Sequence, residues 1–502
     1  MNFTYIKTKE NNIGMINESN IEMINKSNIG MIKGSDIEMI KKSDIEIINN
    51  ILETECINYS FLKMYKLPDL TKYINLKVLN CSNNELTELP NLPNTLIELI
   101  CSNNKLTELT NLPNTLIKLN CGNNKLIELT NLPNTIIKLD YSRNSLRELP
   151  NLPNTLIELN CNCNFLRKLT NLPNTLIELN CSNNELIELT NLPNILIKLD
   201  CCYNSLKKLS NLPNTLIELD CSYNRLRELI SLPNVLIKLN CSYNEITELT
   251  NLPNTLIELD CSNNLLTKLT SLPNTLIKLD CSYNELNELI SLPNTLIELD
   301  CSNNYLTKLT NLSNTLIKLD CSNNELIELT KLPNTLIKLY CWYNKLTKLS
   351  NLPNTLMKLY CWNNEIIELT NLPNTLVRLY CWHNKITKLS NLPNALNILY
   401  CSNNKLTELT NLPSTLIILY CIDNKLTKLA NLPDTLKNLR CYNNNLLFTD
   451  IESLIKLDNF IKFFNLNKLL KLVFLYAIKK RCLKYKEELI IKSCHPSRLS
   501  FI

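Results

Sequence analysis

Four columns of chemically capable side chains stand in this 502-residue chain, each recurring every twenty residues. Cysteine stands at 81, 101, 121 and every twentieth position to 441, with Tyr141 the one exception. Aspartates at 260, 280, 300 and 320 could collect a divalent cation, but Lys278 and Lys318 alternate beside them and argue against a dedicated calcium site. From 338 onward the columns change. Lys318, Lys338, Lys358 and Arg378 run together before Ile398 and Ile418. Two positions on stand Tyr340, Tyr360, Tyr380, Tyr400 and Tyr420. Two further are Trp342, Trp362 and Trp382, the chain's only tryptophans, with His383 beside the last. Strand alternation puts 338, 340 and 342 on one side, so cations and aromatics form adjoining columns of a single face. Exposed Trp and Tyr beside Lys and Arg are the stuff of protein-binding hot spots. The same mixture also suits stacking of single-stranded nucleic acid or a glycan. A third reading is a ladder that only stabilises the sheet.

No catalytic constellation accompanies these columns. Four glycines, at 14, 30, 34 and 122, cannot build a phosphate-cradling loop. His383 and His495 are isolated, and Cys161-x-Cys163 is a lone pair without histidine partners. The chain is therefore expected to be no enzyme and to carry no cofactor or metal. Of 23 cysteines, eighteen occupy the one column, an inward apolar position, and are expected as reduced core thiols. Cys482 and Cys494 lie in a segment too short to form a catalytic domain.

What positions the columns is a twenty-residue unit, as in NLPNTLIELICSNNKLTELT from Asn91. A repeat of fixed length means a solenoid, because one unit cannot bury its apolar face alone. Leu96-x-x-Leu99-x-Cys101-x-x-Asn104-x-Leu106 resembles the leucine-rich repeat signature, and the resemblance runs from Leu76 to Leu446. It implies an α/β-type repeat solenoid: a horseshoe of nineteen coils with a parallel concave β-sheet. Pro113 and its equivalents, kept in seventeen of eighteen repeats with Ser313 the exception, bar a helix and predict an extended or polyproline-like convex side. The resemblance also implies that the invariant Asn column, from Asn84 through Asn104 and Asn124 to Asn444, bonds neighbouring backbone as a ladder. The length and the Leu-Pro back resemble the short repeats of secreted bacterial effectors. The CSNN wording and the Cys494-His495-Pro496-Ser497-Arg498 tail look more like repeat proteins of giant amoeba-infecting viruses. That resemblance implies a viral protein–protein interaction scaffold with an unidentified host or viral partner, acting inside the host cell, plausibly its cytoplasm.

One column in the strands, Glu178, Lys198, Glu218, Lys238, Glu258, Lys278, Glu298 and Lys318, alternates in sign and reads as a self-neutralised solvent face. Residues 1–50 carry an eight-residue theme around Ile13, Ile21, Ile29, Ile37 and Ile45; its period suits neither helix nor strand, which predicts weak order with short helices at most. Residues 51–75 have the apolar content of an N-terminal cap. Residues 76–446 are the solenoid. Residues 447–502, net +6 against −1 for the rest, are expected as a basic helical C-terminal cap, with an amphipathic helix from Lys468 to Lys486 as a membrane-surface alternative. The longest uncharged apolar run of the tail, Leu472 to Ile478, is far below the ~20 residues of a membrane helix, and no signal peptide is expected.

Overall fold

The computed structural model describes residues 4–7, 13–16, 51, 53–429 and 431–446. It falls into two compact units, Met1–Leu296 and Ile297–Ile502. Both are built from the same coil.

Each coil contributes one three-residue strand. Eleven such strands, Val78–Asn80 to Lys278–Asp280, belong to the first unit, and eight, Glu298–Asp300 to Asn438–Arg440, to the second. The strands are short because only the residues around each central leucine alternate: Leu99 is fully buried, while Glu98 and Ile100 flank it half-buried. Neighbouring strands pair parallel and strictly in register, Leu99 opposite Leu119 and Leu339 opposite Leu359. A one-residue slip would turn every leucine to water, so the twenty-residue period fixes the register.

Three lines of backbone bonds join successive coils. The strand line extends into the turn, where Cys101 N donates to Asn120 O at 2.8 Å and Asn103 N to Gly122 O at 2.9 Å. On the flank Ile117 N donates to Ile97 O at 2.8 Å, and past the turn Lys125 N donates to Leu106 O at 2.9 Å. Between these lines lies a core of Leu96, Leu99, Cys101 and Leu106, all without solvent exposure, closed by Leu109.

The chain reverses direction through left-handed backbone at two points per coil, for example Asn103 (φ 57°) and Asn111 (φ 53°). Asparagine tolerates that conformation better than most L-residues. Pro90 and Pro150 replace the usual threonine before the second point. There Asn91 and Asn151 leave the left-handed region, and Leu89 and Leu149 are only half-buried.

The returning arm is extended, as the prolines predict. It makes one tight turn, Leu116 N donating to Pro113 O at 3.1 Å, and Thr115 Oγ1 donates to Leu96 O at 2.7 Å in the preceding coil. In the second unit the arm gains parallel pairing of its own, Glu408–Leu409 with Lys428–Leu429. Helix is confined to Ile51 and Glu53 among the described residues, so the α part of the α/β-type expectation is missing there. The expected helical cap at 447–502 lies outside the described residues.

Upstream of the first coil, Cys56–Asn58 pairs with Val78–Asn80, and Tyr59, Leu67, Leu70 and Tyr73 are buried against the end of the core. Further upstream, Thr4–Lys7 pairs antiparallel with Ile13–Ile16. Where the sequence reading allowed short helices, these eight residues are strand. Tyr5, Ile6 and Ile13 favour strand, and the eight-residue period offers no helical stripe to compete. No helix among the described residues is long and apolar enough to cross a membrane.

Candidate functional site

The asparagine column is the scaffold on which every face depends. Asn104 Nδ2 donates to Cys81 O (3.0 Å) in the preceding coil and to Cys101 O (3.1 Å) in its own, while its Oδ1 accepts from Leu86 N at 3.1 Å. Asn84, Asn124 and Asn444 repeat the pattern. Only a side chain with two donors and an acceptor can serve both coils at once.

The cysteine column packs inside. Every cysteine among the described residues is a free thiol. Burial, reinforced by neighbouring thiols and aspartates, pushes the Cys101, Cys181 and Cys221 thiols well above their usual range. Several also point to the next coil, as in Cys161 Sγ to Asn180 O at 3.3 Å.

The aspartate column ends each strand rather than facing a ligand. Ser262 N and Oγ donate to Asp260 Oδ1 at 3.0 and 2.7 Å, and Asp280 and Asp300 hold Ser282 and Ser302 the same way. Asn80, Asn180 and Asn240 do likewise. Such local carboxylate or amide bonds satisfy the backbone as the strand stops. Asp200, Cys202 and Asp220 lie within 4.8 Å of one another, but the Cys202 thiol is pushed up to about 12, first by burial and then by Asp200. A protonated thiol is a poor metal ligand.

The alternating column forms part of the expected pairs, and coils before it add two more. In the first unit Lys118 meets Glu98 at 3.3 Å, Lys198 meets Glu218 at 3.6 Å and Lys238 meets Glu258 at 3.5 Å; Lys138 pairs with Glu158. These side chains line an open groove of about 800 Å³.

In the second unit Lys318 still reaches Glu298 at 3.9 Å. Beyond it the face changes. Lys338, Lys358 and Arg378 stand opposite one another in register, and none forms an ion pair among the described residues. Tyr340, Tyr360 and Tyr380 stack with centroids 4.6 Å apart and planes within 14°. Trp342, Trp362 and Trp382 form a parallel pile at 5.1 and 4.4 Å. Edge-to-face contacts, Tyr360 with Trp362 at 6.0 Å and Tyr380 with Trp382 at 5.8 Å, lock the two piles together. Tyr380 meets Tyr400 edge-on at 4.6 Å, Tyr400 stacks on Tyr420 at 4.4 Å, and the Arg440 guanidinium sits 4.7 Å over Tyr420. All eight rings are half-buried on one sheet face. Partial burial, then neighbouring phenols, raise the hydroxyls of Tyr340 and Tyr400, so they remain donors at neutral pH.

His383 is separate from this cluster. It occupies the left-handed turn position (φ 50°), exposed, where asparagine usually stands. The sequence reading grouped it with Trp382; at the same turn position Tyr343 meets Trp342 edge-on at 5.5 Å. The reading also missed a second ring pile at that turn position. Tyr203, Tyr223 and Tyr243 stack at 4.0 Å with planes 10° apart in the first unit. Their twenty-residue spacing was the available signal; the turn geometry that aligns them was not.

The molecule is thus a stack of leucine-rich coils bearing one aromatic and cationic face, and solved structures of that class match it. YopM from Yersinia enterocolitica WA-314 is 34% identical and aligns over 84% of this chain and 98% of its own, with a TM-score of 0.72. YopM from Yersinia pestis, described as a leucine-rich effector protein, is 32% identical over 71% and 98%, with a TM-score of 0.58. The leucine-rich-repeat ectodomain of the Arabidopsis receptor kinase GASSHO1/SCHENGEN3, solved in complex with CASPARIAN STRIP INTEGRITY FACTOR 2, shares the fold at 20% identity, with 85% of this chain and 62% of that one aligned and a TM-score of 0.57. No protein-family model and no curated protein matches the sequence. The chain belongs to the leucine-rich repeat proteins, in the short-repeat group that includes YopM.

Proposed function

We propose that the chain is a non-enzymatic leucine-rich-repeat scaffold that binds a protein partner, host or viral, through the face spanning 338–420. One observation carries this reading. At 340, 360 and 380 the aspartate or asparagine that elsewhere holds the strand end is replaced by tyrosine, and the following serine by tryptophan. Those coils give up the strand-end bonds that Asp260 and Asp280 make and present rings and unpaired cations instead. Trp, Tyr and Arg are the residues on which protein interfaces concentrate their binding energy. The YopM structures support the effector-like scaffold reading. The viral setting rests on the CSNN wording of the repeat.

The test is affinity capture from cell lysate with the full chain and with a Trp342→Ala, Trp362→Ala, Trp382→Ala triple variant of matched circular dichroism. Protein partners present with the first bait and missing with the second are expected. Identical recoveries would reduce the rings to sheet packing. Recoveries abolished by nuclease would move the reading to single-stranded nucleic acid, for which the cations are the supporting feature.

A further inference from the structure

Resting on the reading just given, we infer that the partner presents an extended acidic segment followed by apolar side chains. Its carboxylates lie over Lys338, Lys358 and Arg378, and its apolar residues over Ile398, Ile418 and the rings of Tyr400 and Tyr420.

The ring piles themselves restrict the ligand. Tyr360 has a ring on both faces, 4.6 Å from Tyr340 and from Tyr380, and Trp362 is covered by Trp342 and Trp382. A nucleobase or sugar needs a free ring face to stack on. Inserting one between rings would require roughly twice the ~4.8 Å strand spacing, which the backbone ladder holds fixed. The inner rings therefore offer only their edges: indole N–H groups, which have no partner among the described residues, and phenol hydroxyls. Together with two ammonium groups and a guanidinium, this is a surface of donors. It calls for a ligand rich in acceptors, and carboxylates satisfy several donors each.

The charge pattern gives direction. Three like charges opposite one another on adjacent strands destabilise the sheet, whereas most lysines elsewhere in the column pair with a Glu on a neighbouring strand. At one end of this face the next cation, Lys318, is already paired with Glu298, and the Asp300 and Asp320 carboxylates hold their strand ends. At the other the cation column gives way to Ile398 and Ile418. Three cations at ~4.8 Å spacing span ~10 Å, the length of three to four extended residues at ~3.3 Å each. The segment should thus carry two or three acids within four residues, with apolar side chains on one side of them only.

The test is selection of a random peptide display library of about twelve residues on the full chain. Counter-selection uses two variants, Lys338→Gln/Lys358→Gln/Arg378→Gln and the tryptophan triple, each checked by circular dichroism. Enriched peptides are expected to carry clustered Asp or Glu next to an apolar stretch. A synthetic copy should bind about tenfold more weakly to the glutamine variant and weaken with added salt. If the enriched peptides are neutral or basic, or acidic ones bind the glutamine variant equally well, the acidic assignment is wrong; protein binding at this face survives when those peptides still depend on the tryptophans. Enrichment insensitive to both variants overturns both readings. An oligothymidylate that displaces the peptide and itself requires the three cations would assign the face to nucleic acid instead.

Discussion

Alkaline pH should unfold the first unit, and the buried thiols set the scale. Nine column cysteines there, from Cys81 to Cys261, have thiol pKa values raised chiefly by burial; Cys81, for example, is pushed up to about 12 from 9.0. The folded state holds these protons and the unfolded chain releases them near 9. The stability is therefore fully present below about pH 9 and is lost as pH rises toward and through the folded values. At about pH 10 each thiol that ionises only on unfolding removes on the order of 1 kcal/mol, so nine together remove on the order of 10 kcal/mol, comparable with the whole stability of an ordinary domain. Urea denaturation in the presence of reductant, followed by circular dichroism from about pH 8 to pH 11, should show the unfolding free energy falling ever more steeply. The main rise in thiolate absorbance, that of the buried column, should come only as the structure is lost. A Cys181→Ala, Cys201→Ala, Cys221→Ala variant starts less stable because of its cavities, but its pH slope should be shallower. More thiolate than the few cysteines outside the column can supply, appearing near pH 9 with intact circular dichroism, or a slope indifferent to the three substitutions, would refute the argument.

Other substitutions probe the remaining parts of the coil. Asn264→Ala removes donors to Cys241 O and Cys261 O and the acceptor for Ile246 N, leaving buried groups unpaired; a loss of roughly 2–4 kcal/mol is expected in urea denaturation. Asn263→Val forces a β-branched residue to φ 53° and should cost about 1–2 kcal/mol, whereas Asn263→Gly should be close to neutral by the same measurement. The Tyr141 hydroxyl, fully buried, has no hydrogen-bond acceptor in reach and only the Cys161 thiol beside it. Tyr141→Phe is expected to leave the melting temperature unchanged or to raise it. A double-mutant cycle on Lys238 and Glu258, both about half exposed at 3.5 Å, should return no more than ~0.5 kcal/mol.

The coil was legible in the sequence because every coil reuses one environment. A period of twenty with Leu, Cys and Asn at fixed offsets leaves one register in which the strand leucines are buried, and the structure has that register. The extended back was legible too, since Pro113 and its equivalents remove both a donor and the helical alternative. The face at 338–420 was legible as adjoining columns because strand alternation is a local rule. That rule stops after Trp382, because His383 is in the left-handed region.

The sequence by itself thus determined the coil, its register, its inward thiols and the composition of each outward column. Those follow from short-range periodicity and from the need to bury leucine. What only the tertiary structure decided is how side chains in successive coils meet across the stack. Asp260 turns back to hold Ser262 rather than face a cation. Tyr203, Tyr223 and Tyr243 align into a pile at the turn. The rings from Tyr340 to Trp382 cover one another's faces and leave only edges and unpaired cations to a partner. Such outcomes depend on rotamers and inter-coil distances of a few ångströms, and residue types at a fixed spacing do not encode them.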